Sequence, residues 1–365
     1  MVSGSLVSVV VPTFNRAYCI QRAVDSVLAQ TYRDVEVILI DDGSSDGTSE
    51  VVARRYGGDQ RVRYFRQDNT GISGARNTGL ASARGAYIAL LDSDDEWVPW
   101  KLELQIACLR AHRDLGMTWT DMLAVDPGGA VMSEAYLRRM YSAYRWFATA
   151  DDLFDASESL ESLAPSASEI CPGRRFYFGD ISDEMVTGNL VHTSTVVLTR
   201  ARAEAVGEFR EDLRFAGEDY EYHLRTCQNG PVGYLDVSSI RYQRGRADQA
   251  TVPANAIHLA VNFLRVVEPI LTSSSRPTRL PEPMRAEVLA EAYAWVGECR
   301  LDAGDTSAAR RDLLRSLMTR PRQARTARLL FAACLPRSVG RLVRQAYRAV
   351  RGQLRGRSET PAPQP

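Results

Sequence analysis

Lysine is almost absent from this sequence, since Lys101 is its only lysine and arginine supplies the rest of its 45 basic residues. Because arginine dominates along the whole chain, we interpret the bias as a property of the coding genome rather than as a device for bidentate anion binding. The 45 acidic residues balance the basic ones and leave no formal net charge at pH 7. This balance favours no polyanionic partner, and we expect the protein to bind no nucleic acid.

Paired cysteines and long hydrophobic runs are missing as well. The six cysteines form no C-x-x-C pair and have no framework spacing, which favours reduced thiols in the cytoplasm. No run approaches the roughly 20 apolar residues that a membrane span needs. Residues 1–6 also lack the basic segment that begins a signal peptide. With 45% hydrophobic and 25% charged residues, the composition is that of an ordinary globular protein, which we expect to be cytoplasmic.

What the sequence does contain is a regular alternation of strands and helices over its first third. Short apolar runs of strand length alternate with segments whose apolar residues follow helical spacing. The predicted strands are Leu6–Val11, Val35–Ile40, Arg61–Arg66 and Ala86–Leu91, and the predicted helices include Tyr18–Ala29 and Pro99–His112. This alternation predicts an α/β fold, in which helices cover both faces of a mostly parallel sheet.

The fourth predicted strand ends in a cluster of carboxylates. Leu91 is followed by Asp92, Ser93, Asp94, Asp95 and Glu96. Carboxylates crowded in this way repel one another and favour a bound cation. Oxygen ligands favour a hard ion such as Mg2+ or Mn2+, whose open positions are commonly filled by phosphate oxygens. The cluster therefore indicates a metal and diphosphate site, although taken alone it is equally typical of a solvated acidic turn before a helix.

Polar residues also follow two other predicted strands. Thr13 comes just after the first strand and Asp41 just after the second, as Asp94 does after the fourth. In parallel sheets ligands bind outside the carboxyl ends of the strands. We therefore expect the three loops to converge on one crevice.

The pattern becomes less regular beyond Met117. Residues 136–175 mix aromatic and acidic residues and are predicted to form a helix-and-loop insertion over the site. Order returns with a predicted strand at Gly188–Leu198 and a helix at Arg200–Val206. An acidic pair, Glu218 and Asp219, precedes another helix, and two short strands at 233–237 and 240–242 close the unit. We place the end of this first domain at residue 252.

The remainder of the chain is predicted to be helical. We divide it into a helix and linker at 253–283, a helical region at 284–357 and a disordered tail at 358–365. Residues 286–300 and 306–319 are predicted to form one tetratricopeptide-like hairpin, which needs a neighbour because one unit cannot bury its own face. The last predicted helix, 337–355, is basic and amphipathic, which is typical of a peripheral membrane contact and also of a helix packed on the catalytic unit. The first alternative would place the protein on the inner face of the cell membrane.

Five motifs, taken in order, resemble glycosyltransferase family 2, whose enzymes have the GT-A fold and use nucleotide-activated sugars. The motifs are residues 9–16, residues 40–48, Gly79 with 83–85, residues 91–95 and residues 217–219. The resemblance is dense over residues 7–104, sparser over 188–242 and absent as a motif match from residue 256 onward. The family often has an arginine and a histidine after the last catalytic strand. In this sequence residues 241–245, Arg-Tyr-Gln-Arg-Gly, lack the histidine, so the resemblance does not extend to a metal or diphosphate ligand from that loop.

The resemblance implies a role for individual residues. Asp219 would be the general base with Glu218 beside it, Asp94 would ligate the Mn2+ or Mg2+ ion, and Asp92 would face the ribose, the sugar and the metal. The implied outcome is inversion at the anomeric carbon. The candidate residues for the nucleotide sugar are Pro12, Thr13, Asn15, Arg16, Asp41, Gly43, Arg76, Asn77, Asp92 and Ser93, and those for the acceptor are Asn189, His192 and Trp97.

We therefore predict a glycosyltransferase that moves a sugar from a nucleotide-diphosphate donor to a saccharide or lipid-linked acceptor in cell-surface polysaccharide or glycoconjugate assembly. Two alternatives stay open. A nucleotidyltransferase also uses metal-binding carboxylates, but it would want a glycine-rich basic loop after the first strand, where this sequence has Pro12 to Asn15. A non-catalytic scaffold or nucleotide-binding protein on a decayed GT-A fold is the other alternative. Asp219 also has a second interpretation as a helix cap, with Glu218 facing the acceptor.

Overall fold

The computed structural model describes residues 5–244, 255–273 and 278–335. The chain divides into two compact units, Met1–Val252 and Pro253–Pro365. The predicted helix at 337–355 and the predicted tail at 358–365 lie outside the described residues.

The first unit is built on one large sheet. Its strands are β1 Val7–Thr13, β2 Val35–Asp41, β3 Val62–Arg66, β4 Tyr87–Leu90, β5 Glu96–Trp97, β6 Met117–Val125, β7 Val131–Ser133, β8 Ala156–Ser159, β9 Arg175–Gly179, β10 Val197–Thr199 and β11 Val232–Gln243. The main path has the order β3-β2-β1-β4-β10-β6-β11-β9-β8. The β1–β2, β2–β3, β1–β4 and β6–β11 pairs are parallel, whereas β10 runs antiparallel to its neighbours.

Helices and their connections surround the sheet. The helices of this unit are α1 Ile20–Leu28, α2 Thr48–Tyr56, α3 Gly71–Ser82, α4 Lys101–Ala111, α5 Leu137–Met140, α6 Leu160–Leu163, α7 Ala167–Ile170, α8 Arg200–Val206 and α9 Glu218–Gln228. Every residue of β1 and β2 is buried, as expected for parallel strands covered on both faces. The predicted α/β class with a mostly parallel sheet is thus confirmed.

Two predictions about the later strands are wrong. The strand predicted at 188–198 is only the short β10, preceded by a 3₁₀ turn at Thr193–Thr195. Side chains stabilise that turn, because Thr195 Oγ1 donates to the His192 carbonyl at 2.6 Å and Ser194 Oγ donates to Asp95. The two strands predicted at 233–237 and 240–242 are one strand, β11, whose register against β6 shifts around Ser238.

The second unit contains four described helices, α10 Ala256–Thr272, α11 Glu282–Asp302, α12 Thr306–Thr319 and α13 Ala324–Cys334. The predicted hairpin is present as α11 and α12, and α13 adds to their core through Leu329 and Ala333. A Cβ atom at Gly297 would lie 2.7 Å from Leu313 Cγ, so glycine allows this close approach of the two helices. Among the described helices, none is both long and apolar enough to cross a membrane.

Candidate active site

The loops after β1 and β2 are joined by hydrogen bonds at the carboxyl edge of the sheet. Asn15 has a left-handed backbone, with φ of 54°, and its Oδ1 accepts from the Ser45 N–H at 2.8 Å. The Arg16 N–H donates to Thr48 Oγ1 at 3.1 Å. These contacts fix the Arg16 backbone at the same edge. There the positive charge of the Arg16 side chain favours the ionised form of Asp94.

Thr13 and Asp41 are register partners at the ends of β1 and β2. Thr13 Oγ1 is buried and has no hydrogen-bond partner among the described residues. Asp41 is fully buried, and its two oxygens accept from the Ser44 N–H at 2.8 Å and the Tyr64 hydroxyl at 2.6 Å. Each carboxylate oxygen can accept a second hydrogen bond. The pair can therefore still offer a hydroxyl and a carboxylate to a ligand.

Asp42 and Asp46 accept hydrogen bonds from backbone N–H groups. Asp42 accepts from the Thr70 N–H at 2.9 Å and from the Gly71 N–H at 2.8 Å, at the start of α3. Asp46 accepts from the Thr48 N–H at 3.1 Å, at the start of α2. These contacts are those of turn and helix-capping residues, so neither carboxylate is needed as a ligand.

Three carboxylates crowd the end of β4. Asp95 is 2% exposed, and its Oδ2 accepts from Ser194 Oγ at 2.5 Å and contacts His192 Nε2 at 3.1 Å. Burial, followed by the charges of Asp95 and Asp92, raises the pKa of Asp94 to about 7, although Arg16 opposes the change. Asp92, Asp95 and His192 can each offer one ligand atom, and these atoms lie within 4.8 Å of one another. The cluster therefore has an excess of negative charge and a donor set that fits a divalent cation.

His192 lies between this cluster and two tyrosines. Its Nδ1 is 3.1 Å from the Tyr141 hydroxyl, and the Tyr242 ring meets the imidazole edge-on at 5.3 Å between centroids. Burial lowers the pKa of His192, but the hydrogen bond to Asp95 and the nearby carboxylate charges raise it further, so the net change is upward. Asp92 and Asp219 are among those carboxylates, so His192 faces both sides of the crevice.

The acidic pair at the start of α9 completes the crevice. Gly217, with φ of 90°, turns the chain so that Glu218 and Asp219 form the first turn of the helix. Asp219 Oδ1 accepts from the Tyr220 N–H at 2.7 Å. Glu218 is 6% exposed and binds Arg76, whose other nitrogen binds Asp92. Burial and the charge of Asp219 raise the pKa of Glu218 to about 7 against the opposing effect of Arg76.

Other candidate residues lie in different surroundings. Arg76 and Asn77 face the chain that leads into α9, since Asn77 Nδ2 donates to the Phe209 carbonyl at 3.0 Å. Trp97 is 4% exposed and donates from its indole to the Ser194 carbonyl, so the predicted acceptor contact does not fit its place in the core. Asn189 Oδ1 accepts from the Val191 N–H at 3.0 Å.

Sequence reasoning missed Tyr64, Tyr141 and Ser194 as neighbours of the candidate residues. A usable signal for Tyr64 was its place in the predicted third strand, which pairs in parallel with the strand that ends at Asp41. Tyr141 lies in the insertion, where no period predicts its direction, and Ser194 was assigned to a strand instead of a turn.

His223 of α9 leads to a prediction about how the stability of the protein depends on pH. It is fully buried, and burial with the charges of Arg76 and His192 lowers its pKa to about 3. The unfolded chain therefore binds more protons below pH 6.5, so stability falls as the pH drops from 6.5 towards 3. We expect His223→Gln to lose about 2 kcal/mol less unfolding free energy than the wild type between pH 8 and pH 5. Denaturant titrations at both pH values measure this difference.

The matched control for this prediction is His258→Gln, which changes an exposed histidine in the second unit. Equal losses of unfolding free energy for the wild type and His223→Gln would contradict the expectation.

Comparison with known proteins finds a family model that matches part of the first unit. Residues 8–121 match the family model described as glycosyl transferase family 2. Chondroitin synthase of Pasteurella multocida (strain Pm70) is 40% identical over 131 residues, which are 36% of this chain and 14% of that protein. Chondroitin synthase of Escherichia coli is 39% identical over 137 residues, which are 38% of this chain and 20% of that protein. The chain thus spans a fifth or less of the length of these relatives.

The fold also resembles a solved structure over most of the chain. The structure of Staphylococcus aureus TarS 1–349 in complex with UDP-GlcNAc has a TM-score of 0.58 at 18% sequence identity. The likeness covers 94% of this chain and 91% of that one. This likeness confirms the predicted GT-A fold class, and the match of residues 8–121 confirms the predicted resemblance to the family over that stretch.

Proposed function

We propose that this protein, whose residues 8–121 match glycosyl transferase family 2, transfers a sugar from a nucleotide-diphosphate donor to a saccharide or lipid-linked acceptor. The observation that carries the proposal is the meeting of two acidic motifs in one crevice. Asp92, at the end of β4, and Glu218, at the start of α9, bind the same guanidinium. Asp92, the proposed donor-binding carboxylate, and Asp219, the proposed base next to Glu218, would thereby lie on either side of one crevice.

The nucleoside would lie against Thr13 and Asp41. Thr13 Oγ1 is buried without a partner among the described residues, and a ligand hydroxyl or carbonyl would satisfy it. Asp41 would accept from the nucleobase with its remaining lone pairs. Pro12, Asn15, Gly43 and Ser93 would shape the same pocket.

The diphosphate would lie between Arg16 and the carboxylates after β4. Asp94 and Asp92 are the proposed ligands of Mn2+ or Mg2+, and Asp95 and His192 each have an atom near enough to Asp92 to join them. The raised pKa of Asp94 supports a cation here, because a positive charge would offset the repulsion between these carboxylates. When bound, the ion would neutralise charge on the departing diphosphate.

Asp219 is the proposed general base. Its carboxylate would take the proton of the acceptor hydroxyl as that oxygen attacks the anomeric carbon from the face opposite the diphosphate. A single displacement inverts the configuration at that carbon. Asp219 suits this role better than Glu218, because Glu218 is buried and already paired with Arg76.

We place the reaction in the cytoplasmic assembly of a surface polysaccharide or glycoconjugate. The names of the sequence relatives, two chondroitin synthases, support an acceptor of the saccharide class. Peripheral contact with the membrane through residues 337–355 is part of this proposal. That segment lies outside the described residues.

Isothermal titration of UDP, GDP, CDP and TDP, with and without Mn2+, tests the donor site. We expect one nucleotide to bind at least about tenfold more tightly with Mn2+, because the carboxylates after β4 would hold the ion and its charge would offset that of the diphosphate. UDP is the first choice, since the TarS structure contains UDP-GlcNAc. Failure of all four nucleotides to bind would favour the decayed scaffold.

A further inference from the structure

Building on the proposed function, we propose that Arg76 is a positioning residue, which fixes the base-bearing first turn of α9 relative to the donor-binding Asp92. The sequence places Arg76 among the residues that touch the nucleotide sugar. In the structure its two terminal nitrogens instead bind two protein carboxylates. Nη1 lies 2.7 Å from Glu218 Oε1, and Nη2 lies 2.9 Å from Asp92 Oδ1.

The guanidinium is held in a fixed plane. Arg76 is only 4% exposed, and its guanidinium carbon lies 5.2 Å from the centre of the Phe209 ring. Phe209 in turn stacks on Tyr222 of α9, with 3.9 Å between ring centroids and 7° between ring planes. A planar cation packed on an aromatic stack has little freedom to rotate.

The same face of α3 also fixes the chain that leads into α9. Asn77 Oδ1 accepts from the Phe209 N–H at 2.7 Å, while its Nδ2 donates to the Phe209 carbonyl at 3.0 Å. Ser73 Oγ donates to the Arg210 carbonyl at 3.2 Å. Arg76 and Asn77 follow Ser73 by three and four residues, so the three side chains lie on one side of the helix. We define these three residues as the α3 brace.

Charge explains why the brace needs arginine. Asp92 and Glu218 both form ion pairs with Arg76, and Asp219 follows Glu218 directly in the chain. A guanidinium can bind two carboxylates through separate nitrogens, whereas an ammonium is a point charge. Without Arg76, the buried carboxylate of Glu218 would keep Asp219 as a like-charged neighbour and lose its counter-ion. The first turn of α9 would then shift.

Such a shift would affect the chemical step more than donor binding. Attack requires the acceptor oxygen, the base and the anomeric carbon to be aligned, and a misplacement of about 1 Å can reduce the rate about 100-fold. The nucleotide would keep Thr13, Asp41, Arg16 and the metal. If Arg76 positions the base, its loss should therefore lower kcat while the affinity for the donor nucleotide is retained.

The test compares Arg76→Gln, Arg76→Lys and the control Arg84→Gln, which changes an exposed arginine just after α3. We expect Arg76→Gln to reduce kcat about 100-fold while the dissociation constant for the donor nucleotide changes less than about threefold. Arg76→Lys should retain about a tenth of the activity, because it keeps the charge and loses one of the two bonds. Arg84→Gln should match the wild type. Donor affinity falling in parallel with kcat, or unchanged kcat, would overturn the proposal.

A double variant separates positioning from folding. Arg76→Gln with Glu218→Gln removes the unpaired buried carboxylate, so we expect its melting temperature to exceed that of Arg76→Gln. If Arg76 positions the base, kcat stays low in the double variant although stability recovers. Recovery of kcat together with stability would overturn the proposal and leave a purely structural role. Nucleotide binding by the wild type tests the donor site itself, so failure of the proposed function is distinguishable from failure of this inference.

Discussion

Asp219→Asn should reduce kcat by about 10²- to 10⁴-fold while leaving nucleotide affinity nearly unchanged. The amide keeps the shape of the side chain and can still accept from the Tyr220 N–H, but it cannot take the acceptor proton. The expected effect is therefore chemical rather than structural. Steady-state rates with a saturating donor, together with titration of the donor nucleotide, measure the two quantities separately.

Asp114→Asn is the control for this substitution. Asp114 is exposed and lies just before β6, at the amino edge of the sheet, whereas Asp219 lies at the carboxyl edge. We expect full activity from this variant. If Asp219→Asn kept most of the activity, the base would have to be sought elsewhere, and Glu218→Gln would be the next variant to measure.

Asp94→Asn should abolish the tightening of nucleotide binding by Mn2+, a loss of at least about tenfold in the presence of the ion, while the weak binding without metal stays the same. Asn keeps the volume and removes the negative charge that the ion needs. Because burial and then the charges of Asp95 and Asp92 raise the pKa of Asp94, removing this charge should also slightly stabilise the metal-free protein. Isothermal titration and thermal unfolding test both parts.

Two further variants, measured in parallel, show which protein residues ligate the metal ion. Asp68→Asn changes an exposed aspartate before α3 and should leave metal-dependent binding intact. Asp95→Asn removes the carboxylate that contacts His192 and Ser194. Metal-dependent binding that survives Asp94→Asn and is lost in Asp95→Asn would assign the ion to Asp92, Asp95 and His192 instead.

The sequence was sufficient for the first half of the sheet because its strands are buried on both faces. All seven residues of β1 and of β2 are buried, and residues 9–11 and 37–40 are consecutive aliphatic residues, a run that an amphipathic helix would not have. The polar residues at the carboxyl ends of the strands then locate the crevice. Local patterns alone therefore predicted where Thr13, Asp41 and Asp94 would lie.

The brace could not be predicted in the same way. Arg76 and Glu218 are 142 residues apart in sequence, and no local period indicates that they meet. A motif names a residue type at a position but does not say which neighbour its side chain will bind. The turn at 193–195 escaped prediction for a related reason, because its polar side chains bond to residues that only the folded chain brings close.

The scarcity of lysine acquires a chemical meaning in the folded protein. Lys101 is completely buried in α4, where its Nζ donates to Gln105 Oε1 at 2.6 Å and lies 4.1 Å from the centre of the Trp97 ring. Burial also lowers its pKa well below the usual value. The native fold thus shelters the only ε-amine in the sequence from acylating reagents, cross-linkers and protein-modifying enzymes. Covalent labelling at Lys101 would occur only when the first unit opens, which makes this amine an intrinsic reporter of unfolding.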